Sequence, residues 1–171
     1  MSSQAPRLIS SGGLVAGSAL GMAGTFAPVP LRGLLWGLDG TALVVAASLL
    51  TVHHFRKGND VVAAGFLVYV AGQALVLSSA AMDLVAGAPV FGAGAGLWAA
   101  ALFMLSAPRV APLWVRIAGG IAGTLFLVVA IRLFLGQALT ALSEPLPSAA
   151  FPFLVAALVG WAWERYRDVA A

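Results

Sequence analysis

Cysteine is absent, which excludes disulfides, thiolate metal centres and cysteine nucleophiles. Charge is scarce: only 9% of the 171 residues are Asp, Glu, Lys or Arg. A water-soluble domain carries about a quarter. Lysine occurs once, as Lys57, and histidine only as the adjacent pair His53 and His54. Phosphate loops rich in glycine, HExxH and GxSxG motifs and paired His-carboxylate clusters are also missing. Acids occur singly, so no catalytic constellation is legible, and a non-catalytic protein is expected. No cofactor is expected either.

What is present is apolar. Hydrophobic residues make up 61% of the chain, with Ala, Gly, Val and Leu dominant. Too little polar surface remains to hold a globule in water. The chain reads as an integral membrane protein whose first partner is the lipid bilayer. The net charge is +3, and the basic residues sit singly or in pairs at the ends of apolar runs. That pattern fits membrane orientation rather than nucleic-acid binding. Arginine accounts for eight of the nine basic residues, which suggests a GC-rich bacterial source.

Runs of roughly 18 or more apolar residues mark membrane-crossing helices. Six fit the chain, at approximately 8–27, 33–54, 61–82, 90–107, 113–135 and 148–164. Prolines separate odd from even runs: Pro28 and Pro30, then Pro89, then Pro145 and Pro147. The expected fold is a single all-α transmembrane domain, a six-helix bundle built as three antiparallel hairpins. Seven basic residues (Arg7, Arg56, Lys57, Arg109, Arg116, Arg165 and Arg167) fall on the side of the amino terminus. Only Arg32 and Arg132 fall on the other. Positive residues favour the cytoplasm, so both termini are expected there, in a bacterial inner membrane. Helix one resembles a signal peptide in its basic start and small residues, but its run is long, and it is expected to be retained.

Glycines recur every four residues at Gly13, Gly17 and Gly21, and again at Gly33 and Gly37, Gly92 and Gly96, and Gly119 and Gly123. That spacing places them on one helix face, where small residues let membrane helices approach closely. The stripes predict packing inside the bundle. The alternative is that the helix-one stripe meets a second subunit or a partner protein.

Asp39 lies inside the second apolar run, seven residues and about 10 Å along the axis from Arg32. A carboxylate at the centre of a spanning helix costs on the order of 3 kcal/mol, so it should face the bundle interior or water. Arg32, Trp36 and Asp39 share a helical face. On the third helix Gly65, Tyr69, Gly72, Ser79 and Asp83 form a stripe flanked by Gln73. The outer half thus gathers Arg32, Asp39, Asp83, Arg132 and Glu144. Asp39, Arg32, Asp83 and Arg132, with Gln73 near mid-membrane, are the candidate polar or ion site. Pairing of Asp39 with an arginine is the structural alternative.

The segment TVHHFRKGND, residues 51–60, falls at the inner end of helix two. Adjacent histidines point about 100° apart on a helix and cannot easily clamp one metal, and no third His or Cys is available. The expectation is a polar turn whose Arg56 and Lys57 set the topology, with Asn59 or Asp60 capping helix three. Two functions stay in view: an accessory or self-associating membrane protein, and a small transporter or channel-like protein with an outward-facing site around Asp39.

Overall fold

A computed structural model describes residues 4–82, 84–137 and 145–167. It consists of six helices: α1 (Gln4–Phe26), α2 (Val29–Arg56), α3 (Asp60–Ala80), α4 (Leu84–Ser106), α5 (Leu113–Phe134) and α6 (Pro145–Arg167). No strand occurs among the described residues. By length and composition α1 to α5 are apolar enough to cross a membrane.

Of the expected proline links, Pro28 alone is seen between helices, where Ala27 and Pro28 join α1 to α2. Pro28 is the N-cap of α2, and Pro30 lies in its first turn, so α2 starts earlier than its apolar run. A first-turn proline has no helical N–H bond to lose, and its fixed φ suits helix entry. Pro145 likewise begins α6. Pro89 was expected outside helix four but lies within α4, and Pro152 lies within α6. Spanning helices tolerate such prolines because their surroundings and small backbone adjustments take up the freed carbonyl.

Each helix packs on its neighbours in sequence, and α1 packs on α6, so the six form a closed ring. Large rings fill its interior. Trp98 stacks on Tyr69 with centroids 6.0 Å apart and stands edge-on to Phe126 at 5.0 Å. Phe151 of α6 meets both Trp98 and Phe126. Nearer the other end Phe66 meets Trp161 at 5.3 Å. Alanines such as Ala46, Ala95, Ala99, Ala122 and Ala157 are buried between the helices. Leu34, Leu38, Val45, Ile117, Ile121 and Phe134 stand exposed outside, as lipid contact requires.

The glycine stripes explain how the backbones come so close. A Cβ on Gly13 would stand 2.9 Å from that of Ala46, and one on Gly17 2.7 Å from the Leu43 side chain. Gly21 faces Asp39, and Gly24 faces Trp36. Rising numbers on α1 therefore meet falling numbers on α2, so the two run antiparallel. Gly119 and Gly123 pack on α4 in the same manner, against Ser106 and Phe103. Gly92 and Gly96 meet Leu133 and Ala130 of α5. Gly33 and Gly37 differ, because nothing stands within 4 Å of where their Cβ atoms would be.

One end of the ring is defined by three segments. The α2–α3 turn, the α4–α5 connection and the last turns of α6 line one cleft. Arg7 lies over the Tyr166 ring at 5.8 Å, which brings the start of α1 to the same end. There Arg116 of α5 donates to the carbonyls of Ser106 and Ala107, closing the carboxy-terminal turn of α4.

Candidate functional site

Asp39 is held by the close approach of α1 and α2. Gly21 has no side chain, and a Cβ there would lie 2.9 Å from Asp39 Oδ2. The carboxylate thus occupies space that glycine leaves open. Its Oδ1 is buried, and among the described residues nothing hydrogen-bonds to it.

Gly40, the next residue, is where α2 meets α3. The Gln73 amide nitrogen stands 3.5 Å from the position of a Gly40 Cβ, and Leu77 covers the rest. Gln73 is 2% exposed, and its Oε1 has no hydrogen-bond partner. Tyr69 lies one turn earlier on α3, fully buried, with its ring against Trp98. Its hydroxyl also lacks a hydrogen-bond partner among the described residues. Ser18, one turn before Gly21 on α1, is buried with an unbonded Oγ. The Trp98 indole nitrogen is buried and unbonded too.

The structure places the Asp39 carboxylate on the α1 side of α2, against Gly21, and Gln73 on α3 with its amide nitrogen towards Gly40. Arg32 does not pair with Asp39. Its guanidinium donates to the Ala27 carbonyl at 3.2 Å and lies over the Trp36 ring at 5.6 Å. It closes the end of α1 instead. Arg132 stands in the last turn of α5, where its Nε donates to Gln137 Oε1 at 2.6 Å. Because α5 packs on α4 and α6 and not on α2, Arg132 is not part of the group at Asp39. Asp83 lies outside the described residues.

Sequence reasoning placed Tyr69 on the helix-three stripe but did not rank it as a site residue. It passed over Ser18 and Trp98. The available signal for Ser18 was a hydroxyl beside the Gly17 packing position. Trp98 carried none, because a tryptophan amid apolar residues reads as core or lipid contact.

The histidines form a second locus at the opposite end of α2. His54 falls in α2, within the bounds expected for helix two, but is only 5% exposed where a wet turn was expected. It stacks on Phe66 at 5.7 Å and meets Trp161 edge-on at 5.4 Å. The hydrophobic gain of covering an imidazole with two aromatic rings draws it inward. His53 is half-buried, with its ring 5.1 Å from that of His54. A cleft of about 60 Å³ opens beside them, lined by His54, Lys57, Asn59, Trp161, Glu164 and Arg165, among others. Asn59 is the N-cap of α3, but its side chain makes no capping bond. Among the described residues no three His, Cys, Asp or Glu side chains gather as a metal set would.

No family model, no curated protein and no solved structure matches the chain. Asp39 supplies one carboxylate inside α2, and the neighbouring helices α1 and α3 carry the buried, unbonded oxygens of Ser18, Gln73 and Tyr69. A carboxylate inside a spanning helix can hold a proton or meet a small cation.

Proposed function

We propose that the protein is a small non-catalytic transporter or channel-like protein whose working site is the intramembrane group around Asp39. In this reading all six helices cross a bacterial inner membrane as three hairpins, with both termini in the cytoplasm. The basic end, with Arg7, Lys57, Arg116 and Arg165, faces inward by the positive-inside rule. Asp39 then lies towards the outer side.

The observation that carries the proposal is a carboxylate inside α2 whose buried Oδ1 has no hydrogen-bond partner among the described residues. Buried polar groups are normally bonded, and unpaired ones mark places where a function overrides stability. The glycine faces supported the accessory reading at the level of sequence. In the folded chain the stripes on α1, α4 and α5 are taken up between its own helices. That weakens the case for an interaction protein and leaves the carboxylate as the better guide.

The test is flux. Purified protein in proteoliposomes should carry protons or a small cation, and Asp39→Asn should abolish the flux while leaving the helical fold intact. Loss of the fold together with the flux would reassign Asp39 to a structural role.

One observation favours self-association as a second reading. Gly33 and Gly37 face open space on α2, beside the exposed Leu34 and Leu38. Replacing both glycines with leucine should convert a dimer to a monomer in nanodiscs if that face joins two copies.

A further inference from the structure

We infer that the cleft beside the α2–α3 turn binds the phosphodiester headgroup of an anionic phospholipid. The site is separate from Asp39, and it rests only on the helices crossing a bilayer.

The cleft has fixed walls. Gly58, with φ of 72°, ends α2 in a left-handed turn, and the Asn59 N–H donates to the His54 carbonyl at 2.9 Å. That turn sets Lys57 and Asn59 at the cleft. The Asn59 side chain makes no capping bond, so its amide adds a neutral donor. Behind them His54 is held by Phe66 and Trp161. Trp161 and Val110 supply an apolar part of the lining.

Size and charge select the ligand. The cleft measures about 60 Å³. One water needs roughly 10–15 Å³, so there is room for about four oxygen-sized atoms, the complement of one phosphate group. Lys57 and Arg165 bring two positive charges to the lining and Glu164 one negative charge, a net charge of +1. A phosphodiester carries the single negative charge that neutralises it. Glu164 disfavours a doubly charged free phosphate and can accept from a hydroxylated headgroup. Arg7, Arg56, Arg109 and Arg116 stand at the same end and add to the attraction.

Depth selects the source. Trp114, Trp163 and Tyr166 are exposed at this end of the ring. Trp163 stacks on Tyr166, and the Trp114 ring reaches α6 at Gly160. Exposed tryptophan and tyrosine on a spanning bundle concentrate where hydrocarbon gives way to headgroups. The cleft therefore opens where lipid phosphates lie.

The test is native mass spectrometry of the full chain in a neutral detergent, titrated with phosphatidylglycerol or phosphatidylcholine of the same chain length. Wild type should bind one phosphatidylglycerol saturably and more tightly than phosphatidylcholine, whose choline cancels the phosphate charge. Lys57→Gln removes an exposed charge and should weaken that binding about tenfold, the loss expected for one charge-assisted contact. Arg165→Gln should act similarly. Arg56→Gln, which removes the same charge outside the cleft, should bind as wild type does. Equal weakening in Arg56→Gln would mean diffuse surface attraction and overturn the site. So would equal affinity of wild type for the two lipids. Displacement of phosphatidylglycerol by an equal concentration of inorganic phosphate would assign the cleft to a soluble anion and overturn the lipid source.

Discussion

Asp39 lies deep inside α2, and its buried Oδ1 has no hydrogen-bond partner among the described residues. If the carboxylate is kept for function, removing its charge should relieve the fold. Asp39→Asn is isosteric and should melt at or above the wild-type temperature, because a buried charge costs on the order of 3 kcal/mol. A fall of many degrees would mean that the carboxylate holds α1 to α2. His54 is the contrary case. Its ring fills space against Phe66 and Trp161, so His54→Ala should lower stability by about 2–4 kcal/mol, and His54→Phe by much less. Chemical denaturation in mixed micelles measures both. Asp39 was legible in the sequence because a carboxylate inside an apolar run has few harmless explanations. The burial of His54 was not, since its partners come from α3 and α6, far away along the chain.

At the scale of the helix pair, small-residue spacing was readable but its partner was not. Gly33–Gly37 and Gly13–Gly17 look alike in the sequence, yet one pair faces outward and the other meets α2. The most confined crossing is between α3 and α4. A Cβ on Gly94 would stand 3.0 Å from the Gly72 carbonyl, and one on Gly72 3.0 Å from the Gly94 carbonyl. Backbone cannot move aside as a side chain can. Gly94→Ala should therefore destabilise by about 1–3 kcal/mol, as overpacked cores do. Gly33→Ala meets no atom and should be neutral or stabilising by up to about 1 kcal/mol through helix propensity. Parallel melts of the two variants check the contrast. Prolines misled the reading for a related reason: a proline ends a run of hydropathy, but in the first turn it starts a helix, as Pro30 and Pro145 do.

At the scale of the molecule, all-helical architecture and capacity to cross a membrane followed from composition. Closure of the ring by α1 and α6 did not, because neither helix carries a pattern that names the other. The cysteine-free chain makes this testable. Arg7→Cys combined with Tyr166→Cys should be joined within one monomer by a short bismaleimide, since the native side chains meet. Failure to crosslink in the folded protein would open the ring. Six helices enclose an aromatic interior, and Asp39 brings a carboxylate with an unpaired buried oxygen to the α1–α2 contact of that ring. The most direct test is uptake of protons or a small cation into proteoliposomes, wild type against Asp39→Asn, with both proteins shown to be folded. Uptake by wild type and none by the variant is the predicted result. Equal uptake by the two would contradict the assignment of Asp39 as the working residue.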